Sequence, residues 1–195
     1  PEFSADRVDY AAVSAFKEKL FTEAFRTFIG TGSGRDAYAQ FCTERQHWLD
    51  DYALFMALKG HFAGKPWNEW DEPIKLRTAE ALAHYRSELA QYVELHKFLQ
   101  FVCDRQWKKL KNYANSKGVS LIGDIPIFLA YDLADVWANR GLFRLHDDGS
   151  PVVVTGVPPD YFSETGQLWG NPHYNWPAMQ QTDFEWWKQR FARMF

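Results

Sequence analysis

A chain of 195 residues, 46% hydrophobic and 24% charged, is long enough to bury a sizeable core as one domain or a domain and a half. Its net charge is −3, with acidic and basic residues interspersed, so it lacks the basic footprint of a nucleic-acid binder. No apolar run approaches the roughly 18–20 residues needed to span a bilayer, and neither nucleic acid nor a membrane is an expected partner.

Along the first hundred or so residues the hydrophobic pattern is helical. From Ser4, read as an N-cap, Tyr10, Val13, Phe16, Leu20, Ala24 and Phe28 recur at intervals of three and four until Gly30. The run GTGSG (30–34) then follows a helix rather than a strand, which makes it a flexible connection and not a phosphate-binding turn. A second helix carries Tyr38, Phe41, Trp48, Tyr52, Phe55 and Leu58 on one stripe and ends near Gly60. AGKPWNEWDEP (63–73) reads as a loop, and a long helical pattern, broken once, runs from about Arg77 to Asn115. These elements make 1–115 a mainly helical region.

The period changes at Lys117-Gly118. VSLIGDIPIF (119–128) opens as a short apolar run after a glycine stop, the pattern of a buried strand fed by a helix. A strand at 119–124 delivers Asp124 at its C-terminal end, where chemistry collects in parallel α/β folds. The alternative for Asp124 is a purely local role, bonding backbone amides in the turn before Pro126. Asp132 is placed to cap a short helix within YDLADVWANR (131–140), with Asp135 favouring its N-terminus. FRLHDDGSPVVV (143–154) reads as a hairpin about an Asp-Gly turn. A final helix starts near Thr182, with Phe184, Trp187 and Phe191 on one side. Residues 116–195 thus form a second region, α/β in character.

Between these lies GVPPDYFSETGQLWGNP (156–172), whose glycines and prolines predict a backbone that is neither helix nor sheet. Nine Trp, nine Tyr and sixteen Phe bring aromatics to 17% of the chain, more than core packing requires, and some of the excess lies here. Asp160, Ser163, Glu164, Thr165, Gln167 and Asn171 offer hydrogen-bonding groups, while Tyr161, Phe162 and Trp169 offer flat apolar faces. That mixture matches a pyranose, with its apolar C–H face and its rim of hydroxyls. The alternative is an ordered loop whose rings anchor it to the core, a role open to Phe162 and Trp176.

Cys42 and Cys103 match no zinc or redox spacing and fall in apolar helical patterns, where free cysteines act as small buried hydrophobes. A reduced, cytoplasmic setting is the simple expectation. The six histidines show no metal-ligand spacing, so no metal is expected. The chain begins at Pro1 with no initiator methionine, the start expected of a processed product or an excised piece.

The runs GDIPIFLAYDLADVW (123–137) and DGSPVVVTGVPPDYFSETGQLWGNPHYNW (148–176) closely resemble the 4-α-glucanotransferases called amylomaltases or disproportionating enzymes, glycoside hydrolase family 77. HKFLQF (96–101), DRQW (104–107) and YANSKGVSLIGD (113–124) extend the likeness over about 92–195, and the first seventy residues carry a weaker one. The resemblance implies a helix-rich α/β fold: an incomplete portion of a (β/α)8 barrel with a largely helical insertion subdomain. It implies a cytoplasmic enzyme that moves α-1,4-glucan segments between maltooligosaccharides with retention, without metal or organic cofactor. Asp124 would bond hydroxyls of the donor sugar. Tyr161 and Phe162 would ride a flap over the groove, shaped by Asp160 and Ser163, with Gln167, Trp169 and Asn171 among the subsites.

One departure matters. A retaining mechanism needs two carboxylates about 5–5.5 Å apart, and the family's nucleophile lies in an R-[IV]-D-H run that is absent here. The chain ends at Phe195, where the next strand should begin, so it reads as an internal fragment with no catalytic residue of its own. A partial barrel would also leave an unpaired edge prone to self-association. A non-catalytic α-glucan-binding piece and a helical protein-interaction domain are the competing readings.

Overall fold

The computed structural model describes residues 3–192, so Pro1, Glu2 and the last three residues lie outside the described residues. The chain is helix-rich, with one small antiparallel sheet. Helix α1 (Tyr10–Thr31) starts six residues after the expected cap at Ser4, because Asp9 supplies the better one: its carboxylate accepts from the Ala12 amide at 3.0 Å. It closes on Gly32, in the left-handed conformation at φ +66°, two residues past Gly30. Helix α2 (Arg35–His61) and helix α5 (Ala90–Ser116) are long partners, and α4 (Ala79–Glu88) precedes α5 across a break at Leu89.

Two clusters hold these helices. Phe25, Phe41, Leu49, Phe98 and Phe101 join α1 to α2 and α5, with Phe28 and Phe98 at 4.8 Å between ring centroids. The larger cluster is built around Phe55, Trp67, Trp70 and Trp137, with Leu54, Leu58 and Ile74 fully enclosed. Removing each such side chain from water contributes about 1.5–3 kcal/mol. The enclosed indoles keep their N–H groups bonded, Trp67 to the Tyr131 carbonyl at 2.8 Å and Trp137 to that of Ile74 at 3.2 Å. Arg77, at φ +60°, stacks on Trp137 at 4.2 Å and donates to Asp51 at 2.8 Å, interactions that offset its strained backbone.

The segment 63–73 is closed by Lys59. Its ammonium donates to the carbonyls of Gly64 (2.8 Å) and Lys65 (2.9 Å) and to Asp132 (2.7 Å). The other oxygen of Asp132 accepts from the Trp67 amide at 3.2 Å. Asp132 therefore does not cap the next helix. That helix, α6 (Ala134–Ala138), has Leu133 before it and no side-chain cap, since the Asp132 carboxylate is already committed to Lys59. Beside it, burial pushes the Tyr131 phenol up to about 12, so it keeps its proton and donates to the Gly149 carbonyl at 2.6 Å.

Two expectations fail in the C-terminal region. No strand forms at 119–124: after the Val119 amide closes α5 on Ala114, residues 120–130 make no backbone-to-backbone hydrogen bond among the described residues. The apolar pattern suits a strand covered on both faces, but among the described residues no partner strand lies beside it. The hairpin expected at 143–154 forms in short form: Leu145 bridges Pro151 antiparallel, and the amides of His146 and Val152 donate to the carbonyls of Ser150 and Arg144 at 2.8 and 2.9 Å around a turn at Gly149. The second failure is 156–172, which carries strand at both of its ends. Strands β1 (Val154–Val157) and β2 (Gln167–Pro172) pair antiparallel, so the stretch is a β-hairpin with its tip at 158–166. Cys103 is exposed rather than buried, and Cys42 is partly covered. Helices α7 (Trp176–Gln181) and α8 (Glu185–Ala192) complete the described chain.

Lys59→Met retains the apolar stem but removes three charge-assisted hydrogen bonds and strands Asp132. The expected loss is about 2 kcal/mol, seen as a lower urea midpoint with an unchanged m-value. An unchanged midpoint would show that this node does not hold the loop.

Candidate functional site

The hairpin builds its own tip. The Asp160 carboxylate accepts from the Phe162 amide at 2.9 Å and the Ser163 amide at 2.8 Å, and the Asp160 amide donates to the Ser163 carbonyl at 2.9 Å. The Ser163 hydroxyl donates to the Gly166 carbonyl at 2.8 Å. Gly166 is required by space as well as by conformation: at φ +74°, an added Cβ would lie 2.6 Å from the Val157 carbonyl oxygen. This frame leaves Tyr161 97% and Phe162 88% exposed, with ring centroids 5.6 Å apart and planes nearly perpendicular. Phe162 therefore anchors nothing to the core. Trp176, in contrast, stacks on Trp187 at 6.5 Å and packs against Tyr174.

On β2, Gln167 accepts from the indole N–H of Trp169 at 3.0 Å, and both side chains are exposed. The register is irregular here. Gly156 pairs with Leu168 and Val154 with Pro172, so two steps along β1 face four along β2. The bulge re-aims the side chains of 169–171, and Gly170 takes a positive φ of +76° within it. Trp169 meets Phe128 at 6.2 Å, edge to face. Asn171, expected among the sugar-facing groups, has both ends of its amide on protein atoms: it donates to the Leu129 carbonyl at 2.7 Å and accepts from Thr155 at 3.2 Å.

Asp124 stands at the start of the 124–130 segment. Its carboxylate accepts from the Ile125 amide at 2.8 Å, the local bond left open by the sequence. It borders a cavity of about 400 Å³ between α2, α5, α6 and α8, shared with Trp48, Asp51, Tyr52, Asp135, Trp186 and Arg190. Burial raises the Tyr52 phenol above its ordinary range, and Gln100 donates to it at 3.2 Å. Asp135 accepts from the Trp186 indole at 3.2 Å, while the Arg190 guanidinium sits over Trp186 at 4.6 Å and donates to the Pro126 carbonyl at 3.0 Å.

The eight sequence-predicted residues thus fall into two groups. Asp160, Tyr161, Phe162, Ser163, Gln167, Trp169 and Asn171 share the hairpin, whereas Asp124 faces a cavity that none of them lines. The two groups meet only through the intervening segment, by Phe128 with Trp169 and Leu129 with Asn171. The sequence reading places Tyr52 on a helical stripe and singles out neither Trp186 nor Arg190. The spacing of Trp186 and Arg190, one helical turn apart, was the available signal.

Asp160→Ala should loosen the tip without touching the helical core. Chymotrypsin cleavage at Tyr161 and Phe162 is expected to accelerate, and an unchanged rate would show that the prolines hold the tip unaided.

Residues 2–195 match the family described as 4-alpha-glucanotransferase. A 4-alpha-glucanotransferase of Thermus thermophilus is 47% identical over 195 residues, covering 99% of this chain and 39% of that protein. A chloroplastic/amyloplastic 4-alpha-glucanotransferase of Solanum tuberosum is 41% identical over 191 residues, covering 96% of this chain and 33% of that protein. Among solved structures, an amylomaltase from Streptococcus agalactiae in complex with acarbose superposes with a TM-score of 0.93 at 39% identity, over 98% of this chain and 39% of that one. The chain therefore spans about two-fifths of the length of relatives it matches nearly end to end.

Proposed function

The chain belongs to the 4-alpha-glucanotransferase family, and from that premise we propose that it is part of an enzyme transferring α-1,4-glucan segments between maltodextrins by a retaining double displacement. The observation that carries this reading is the preformed flap tip, with Tyr161 97% and Phe162 88% exposed on a frame made by Asp160 and Ser163. Rings held bare to solvent carry an energetic cost that a sugar face relieves by stacking. Trp169 and Gln167 extend the surface along β2, and Asp124 offers a carboxylate to donor hydroxyls. The amylomaltase of Streptococcus agalactiae, similar over nearly the whole chain, is described in complex with acarbose, which supports an oligosaccharide ligand for this surface.

On this reading 1–115 supplies a largely helical insertion with a barrel helix, and 116–195 a segment of a (β/α)8 barrel. The unpaired 119–128 run is then a barrel strand, whose exposed Val119, Ile122 and Ile127 await neighbours. Held in isolation, that edge promotes self-association. The two carboxylates of the retaining mechanism, which must stand about 5–5.5 Å apart, lie outside this chain, so it binds glucan without cleaving it. The proposed compartment is the cytoplasm, where the two free thiols stay reduced. Among the described residues no helix is long and apolar enough to cross a membrane.

Two measurements test this. The purified chain should release no glucose from maltotriose, and release would overturn the claim that the catalytic pair lies elsewhere. Calorimetry with maltoheptaose should show saturable binding that Trp169→Ala weakens by about three- to tenfold, the value of one ring contact. Equal affinity in the two chains would remove Trp169 from the sugar surface.

A further inference from the structure

We infer that Asn171 is a positioning residue, locking the flap hairpin to the segment that carries Asp124, and not a group that meets the sugar. The inference rests on the glucan-binding reading above, since the two parts it joins are the two proposed sugar-binding parts. Its geometry stands independently of that reading.

An asparagine amide has an oxygen with two lone pairs and an NH2 with two donors, and here each end makes one hydrogen bond to a covered protein group. The nitrogen donates to the Leu129 carbonyl at 2.7 Å, and the oxygen accepts from the Thr155 hydroxyl at 3.2 Å. The orientation of the amide is settled by chemistry, because a carbonyl can only accept and so must face the nitrogen. Both partners are well covered: Leu129 and Thr155 are each 6% exposed. Water therefore competes poorly for this link, which raises the cost of breaking it. The β2 bulge, with Gly170 at φ +76°, brings Asn171 to this place.

The position of the link gives it consequence. Trp169 lies two residues away on β2, and the edge contact of Trp169 with Phe128 runs beside it at 6.2 Å. Asp124 lies five residues before Leu129 on a segment with no ladder of its own. Tyr174 and Arg190 hold the neighbouring carbonyls of Ile127 and Pro126, but neither belongs to the hairpin. Losing Asn171 thus loosens the flap from the Asp124 segment, leaving the Trp169–Phe128 edge contact between them and that segment attached to the rest of the chain.

Asn171→Asp in the 195-residue chain tests this, because a carboxylate accepts only and opposes the Leu129 carbonyl. Amide relaxation by NMR should show raised fast mobility at 127–130 and 167–172 with α2 and α5 unchanged. Unchanged order in both segments overturns the inference. Thr155→Val, which removes the bond to the amide oxygen and leaves the bond to Leu129, should give a smaller change at the same positions and serves if the aspartate variant does not fold. Maltoheptaose affinity should fall about three- to tenfold in the aspartate variant, the value of one such hydrogen bond. Combined with Asp124→Asn, the losses should be less than additive. Fully additive losses would give Asn171 a sugar contact of its own and overturn the positioning role. If the unmodified chain binds no maltoheptaose, the glucan reading falls, and the relaxation measurement decides the role of Asn171 by itself.

Discussion

The C-terminal half of this protein is organised around an extended run that has no ladder. Between the end of α5 and the start of α6, residues 120–130 pair with no other backbone among the described residues, yet the proposed sugar-binding surface is assembled on them. What holds them is a set of side-chain donors aimed at consecutive stretches of carbonyls: Arg190 to Pro126, Tyr174 to Ile127 and Asn171 to Leu129. Each donor comes from a different place in the last quarter of the chain, so the hairpin, the segment after it and α8 are all gathered onto one strip of backbone. An unpaired buried carbonyl costs more than a typical hydrogen bond contributes. The three donors therefore act as constraints on position as much as sources of stability.

The aromatic residues divide into two populations with opposite tasks. Trp67, Trp70, Trp137 and Phe55 are enclosed, their edges and faces in mutual contact, and they join the helical lobe to the segment that follows α5. Tyr161 and Phe162 are left bare by a tip whose backbone hydrogen bonds are satisfied locally. Composition cannot separate the two groups, since a ring buried in a core and a ring held out for a ligand are the same residue. Their neighbours do separate them. The enclosed rings are approached by helical stripes, and the bare ones sit among prolines, glycines and short polar side chains.

Much of the helical region was legible because amphipathic period is a local property, written within a few turns of chain. The flap frame was legible for the same reason: Asp160 and Ser163 bond within six residues. Asp132 was misread because its partners, Lys59 and Trp67, are remote in sequence, and a helix cap was the best use that its near neighbours could offer. The hairpin in 156–172 was missed because Gly156 and Gly170 interrupt its strands and Gly166 adjoins β2, residues that weaken a strand by propensity but are demanded here by close approach and by the bulge. Asn171 looked like one more polar group in a polar loop until its two partners were known.

By itself the sequence determined the family, the helices and the local chemistry of the flap tip, because each depends on residues close together along the chain. It also set the apolar character of 119–128. Whether that run pairs, what Asp132 and Asn171 hold, and that Asp124 faces a cavity apart from the hairpin were decided by tertiary structure. Those outcomes turn on which distant groups arrive at hydrogen-bonding distance, and strand pairing in particular needs a neighbour that no pattern within the strand can supply.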